Sequence, residues 1–157
     1  MSRQSLINLV FRISPVRTEE LLSPLLDLLA GARQAFDGDL DKYLILLVVT
    51  IRAANHPQFV KNIEIARAQG SAAPPFPSLG VNIQSIADSI GAPKETIRRK
   101  VADLVEGGWI ERRGNHLYLT AAAYQDHKPV RELMHAMFVR HFEAVRDMLA
   151  AEGGDPD

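Results

Sequence analysis

From Lys94 to Lys100 the chain reads K-E-T-I-R-R-K, four cations against a single glutamate, and Arg112 and Arg113 follow beside Gly114 and Asn115. Arginine or lysine can donate to O6 and N7 of guanine, and a glutamate can accept from the amino group of cytosine. Lys94, Glu95, Arg98 and Arg99 are therefore candidate base readers. Thr96 (through its hydroxyl or a main-chain N–H), Lys100, Arg112, Arg113 and Asn115 suit phosphate or minor-groove contacts, which position a protein on DNA. Rival chemistries find little to work with. The absence of cysteine removes disulfides, thiol catalysis and thiolate metal sites. Of the histidines, His56, His116 and His127 stand apart; His135 and His141 are six apart and do not share a helix face as an i, i+4 pair would. There is no phosphate-binding glycine loop, no HExxH and no GxSxG. Neither an enzyme, nor a metal, nor a cofactor is expected. Asp39 and Asp41 read as acids at a helix start, favoured there by the dipole.

The basic residues need elements to aim them. Residues 82–120 read NIQSIADSIGAPKETIRRKVADLVEGGWIERRGNHLYLT. Ile83, Ile86, Ala87 and Ile90 predict a helix of about two turns, with Ala87 small enough for a close crossing. Gly91 suits the left-handed conformation of a tight interhelical turn. A second helix from Pro93 buries Ile97, Val101, Leu104 and Val105 and turns Lys94, Glu95, Arg98, Arg99 and Ala102 outward; Gly107 and Gly108 stop it. Strands at Trp109–Arg112 and His116–Leu119 follow, joined by Arg113, Gly114 and Asn115, in which Gly114-Asn115 favours a tight turn with positive dihedrals. Helix, turn, helix and β-wing make a winged helix-turn-helix.

The stretch IADSIGAPKETIRRKVADLVEGGWIERRGNHLYL resembles the DNA-binding domain of the Crp/Fnr regulators, through Ile86-Ala87, Gly91, Glu95-Thr96-Ile97, Arg99, Leu104, Gly108 and Ile110. The resemblance covers about a quarter of the chain and implies base reading by Lys94, Glu95 and Arg99. It does not extend to the β-barrel sensor of that family, because residues 14–70 read as helical. The overall layout is similar to that of MarR-type regulators, whose terminal helices form the dimer.

Around this segment the chain is helical. Ser23-Pro24 reads as a helix start, followed by the face Leu25, Leu28, Leu29, Ala32 and Phe36; after Gly38, Asp39 caps a second helix to about Ala54. Leu44 to Ile51 is apolar nearly all round, which predicts a central, buried helix. Met1 to Ile13 fits a short strand, through Ile7, Leu9, Phe11 and Ile13, or a helix. It does not read as a signal peptide, and Tyr43–Ile51 is too short to span a bilayer. Phe59–Ala68 reads as a short helix and the proline-rich 71–80 as a loop. Pro129 opens a long helix whose stripe runs Val130, Leu133, Met134, Met137, Phe138, His141, Phe142, Val145, Met148 and Leu149.

The composition, 46% hydrophobic and 24% charged, is that of a globular chain, and a net charge of −1 means that any DNA contact must come from a local cluster. The expectation is a mainly α protein: a helical region at 1–80, a winged helix-turn-helix at 81–120 and a C-terminal dimerisation helix and tail at 121–157. Its expected function is sequence-specific binding of double-stranded DNA as a bacterial-type, cytoplasmic transcription regulator, acting as a homodimer on a pseudo-palindromic site, without a membrane. Two other readings use the same elements. In one the winged helix docks on a protein and binds no DNA; in the other a MarR-like regulator answers to an unidentified small-molecule effector.

Overall fold

The computed structural model describes residues 2–13, 15–55, 61, 64–65, 68–70 and 80–152. The expectations for Phe59–Ala68 and for the proline-rich loop lie largely outside them. The protein is mainly helical, with one small antiparallel sheet of two strands among the described residues. The helices are α1 (Arg3–Ile13), α2 (Thr18–Ala35), α3 (Leu40–Ala54), α4 (Ile83–Ile90), α5 (Lys94–Glu106), α6 (Ala121–Asp126) and α7 (Lys128–Glu152); β1 (Ile110–Arg113) and β2 (His116–Leu119) stand between α5 and α6. No helix among the described residues is long and apolar enough to cross a membrane. The chain divides into two compact units, Met1–Gln34 with Pro129–Asp157, and Ala35–Lys128.

In the first unit, α1 is a helix and the strand alternative fails. Leu6, Leu9 and Val10 lie on its covered side, a helical spacing, while Ile7 and Phe11 are exposed. Leu9 packs with Ala144 and Met148 of α7, and Leu21 of α2 leans on the same cluster. The Ser23-Pro24 start is also corrected. α2 begins at Thr18, with Glu19 and Glu20 in its first turn, and runs through Pro24. A mid-helix proline lacks the N–H for the preceding turn and costs about 3 kcal/mol. Here its ring is fully buried, which offsets part of that cost. On α7, Val130, Ala144 and Met148 are buried, but Phe138 and Phe142 of the apolar stripe are exposed.

The second unit is organised around α3, which packs on α4, α5 and β2. Ile45, Leu46 and Val49 of α3 meet a core that includes Ile86, Ile97, Val101, Leu104, Ile110 and Leu117, all buried. Each such side chain contributes roughly 1.5–3 kcal/mol by leaving water. Leu44 and Ile51 of the same helix stay exposed. At one edge an aromatic group closes the unit. Phe36 stacks on His127 at 4.5 Å, and Trp109 meets both rings edge-on, at 5.6 Å from Phe36 and 4.4 Å from His127. The Trp109 indole N–H donates to Asp126 at 2.9 Å.

Candidate nucleic-acid interface

Two short-range devices fix where α5 points. The Asn82 side chain caps α4 by accepting from the Ser85 N–H at 2.8 Å. Gly91 then ends α4 at φ 72°, left-handed backbone that a β-carbon would strain, and its N–H returns to the Ala87 carbonyl. The chain reverses within Gly91, Ala92 and Pro93 and enters α5 at Lys94. Ile97, Val101 and Leu104 are buried, so the helical period turns Lys94, Glu95, Arg98 and Arg99 to solvent, and all four are exposed. Thr96 is half-buried at the boundary.

Lys100, expected on the DNA side, is a correction. Its ammonium sits 2.6 Å from both carboxylate oxygens of Asp39 and 3.3 Å from Asp41, and its side chain is only 13% exposed. One residue beyond Arg99 on a 3.6-residue period, it has rotated from the free edge onto the flank facing α3. Asp39 likewise does not cap α3 with its side chain, as the sequence suggested; its carboxylate is occupied by Lys100. A second pair of opposite polarity, Lys42 to Asp103 at 2.9 Å, joins the same two helices. Together these bridges tie that flank of α5 to the start of α3.

This latch has a pH signature. Burial pushes the Asp39 carboxyl up, but the hydrogen bond and charge of Lys100, aided by Lys42, outweigh it and hold it below the ordinary carboxylate range. The Asp39 hydrogen bond is the main cause that raises Lys100 above the ordinary ammonium value, against the opposing effect of its own burial. The lowered acid contributes stability above its unfolded value and loses it as pH falls through the folded one. The raised base contributes below its unfolded value and loses it as pH rises through the folded one. The latch is thus expected to add about 1 kcal/mol across the neutral range. Lys100→Met should remove that increment and flatten the acid limb of stability, as read by urea unfolding across pH. A variant with the parent's acid limb would assign no role to the latch.

The hairpin separates its two arginines. Its register pairs Ile110 with Leu119, Arg112 with Leu117, and Arg113 with His116. Directly opposed residues share a face, so Arg112 lies on the face of buried Leu117, and Arg113 lies on the other. Arg113 is held there by both Glu111 oxygens, at 2.7 and 3.0 Å, with its guanidinium 5.1 Å from the centre of the Tyr118 ring. The two-residue turn also differs from the expectation. Gly114 has φ 59°, but Asn115 is not left-handed, so one positive dihedral suffices, the pattern of a type II′ turn. An isolated bridge beside β2 was not anticipated: Val81 pairs with Leu117 through hydrogen bonds of 3.1 and 2.9 Å.

Between α5, the start of α4 and the hairpin lies a groove of about 480 Å³. Lys94, Arg98, Arg112 and Asn115 line it, together with Asn82 and His116, which sequence reasoning had not connected to the basic cluster. The missing signal was the Val81 bridge, which brings Asn82 to the hairpin. Arg98 donates to Glu95 at 2.7 Å, and the Arg112 Nε donates to the Gly114 carbonyl at 3.2 Å. The side chains of Lys94 and Arg99 have no ion pair or hydrogen bond among the described residues. Among the described residues, no cluster of three or more histidines and carboxylates could hold a metal ion. No model of a known protein family, no curated protein and no solved structure matches the chain.

Proposed function

We propose that residues 82–120 form a winged helix-turn-helix that binds double-stranded DNA sequence-specifically, and that the protein regulates transcription as a homodimer. α5 is the reading helix, entering the major groove with the edge formed by Lys94, Glu95, Arg98 and Arg99; β1 and β2 are the wing. The observation that carries this reading is the exposure of that edge beside Arg112. The latch to α3 supports it further, because a reading helix needs a fixed rotation. Exposed Phe138 and Phe142 on α7, with Leu22 and Leu26 on α2, supply apolar surface for pairing. The Crp/Fnr-like spacing in the reading segment and the MarR-like helical layout point the same way.

A gel shift with random duplex at two salt concentrations is the test. Binding should fall steeply with salt, because each phosphate neutralised contributes roughly 0.9 to the logarithmic slope. No shift at low salt, or a shift indifferent to salt, would rule the reading out. Glu111 supplies a second check. Its carboxylate neutralises Arg113, whose hydrogen bond in turn holds it below the ordinary carboxylate range against the opposing effect of desolvation. Glu111→Gln is expected to release Arg113 toward the backbone, raise affinity for all duplexes alike and steepen the slope by up to about one. A slope equal to the parent's would mean that this face of the wing does not approach DNA.

A further inference from the structure

We infer that the groove between α5 and the hairpin seats a backbone phosphate of the duplex, so that Lys94, Arg98 and Arg112 bind phosphate and base reading is left to Glu95 and Arg99. This rests on the DNA-binding reading and divides its reading edge in two. Three cations from two elements, α5 and β1, converge on this groove, and no carboxylate lines it. The charge balance selects an anion. Concavity selects a phosphate over a base edge. A groove walled by a helix on one side and a hairpin on the other admits a protruding tetrahedral group from several directions, whereas base edges are met by the outermost side chains of a helix.

Position along α5 agrees. Lys94 occupies the first turn of a helix of 13 residues, where the dipole adds to the attraction for an anion. Arg99 is not part of the groove; one residue past Arg98, it projects about 100° further round the helix. Arg98 connects the two halves. One of its nitrogens donates to Glu95, and a guanidinium carries five donors, so the rest can serve the phosphate while Glu95 stays oriented for an amino group.

The test compares Lys94→Ala, Arg112→Ala and the double variant in the full chain. Trp109 emission and the urea midpoint serve as controls for folding. Each single variant should weaken binding to every duplex alike, leave the selected base sequence unchanged and lower the salt slope by about 0.9, and the double variant by about twice that. A Lys94 variant that changes preference at one base position with the parent's slope would make Lys94 a base reader and overturn the phosphate seat alone. A parent chain that binds no duplex at low salt would instead overturn the underlying reading. Phosphorus NMR with inorganic phosphate is the remaining arm. Broadening that needs Lys94 and persists in the presence of saturating duplex would assign the groove to a free anion and refute the duplex assignment.

Discussion

Phe36→Ala is expected to destabilise the protein by about 3–5 kcal/mol, the cost of emptying a buried aromatic site. Phe36 is 3% exposed and contacts three rings: Tyr43 at 5.8 Å, Trp109 at 5.6 Å and His127 at 4.5 Å. Those partners come from α3, from the turn between α5 and β1 and from the end of α6, so the cavity would loosen three segments at once. Phe36→Leu keeps most of the apolar volume and loses the ring contacts; it should cost about 1.5 kcal/mol or less. Trp109 is the only tryptophan in the sequence, so its emission reports this cluster alone. Urea unfolding followed by that emission and by far-UV circular dichroism gives both numbers. A loss under about 1 kcal/mol for the alanine variant, with unchanged emission, would show that the cluster is not a structural support.

Arg99→Ala is expected to weaken binding to the preferred duplex by about 1–3 kcal/mol and to relax one base position. In affinity this is roughly 5- to 150-fold. The Arg99 side chain is exposed and makes no ion pair or hydrogen bond among the described residues, so its removal should leave stability within about 0.5 kcal/mol of the parent. The loss is then one of recognition. Arg99→Lys keeps the charge but not the planar fork, and should restore affinity for random duplex without restoring the base preference. Selection from a random duplex library measures both. An unchanged preference in the alanine variant would remove Arg99 from the reading edge.

The parts legible in the sequence are those set by local periodicity and local turn chemistry. The face of Ile97, Val101 and Leu104 is spaced for one side of a helix, so the exposure of Lys94, Glu95, Arg98 and Arg99 followed directly. Gly91 was legible because only a left-handed residue closes so short a turn. Where two local signals competed, the reading went wrong. Pro24 suggested a start, yet Thr18, Glu19 and Glu20 had already supplied one, and burial of the proline ring offsets part of the cost of the lost hydrogen bond.

By itself, then, the sequence determined which residues of the basic cluster leave the core, because a helix of known period can bury only one stripe. Which of those cations remain free was decided only by tertiary structure. Lys100 is taken by Asp39, while the side chains of Lys94 and Arg99 stay unengaged among the described residues, and Arg112 lines a groove. The reason is physical. A charge is neutralised by whatever lies within a few ångströms, and for Lys100 that neighbour stands sixty-one positions away in the chain, just before a helix brought alongside by the apolar core.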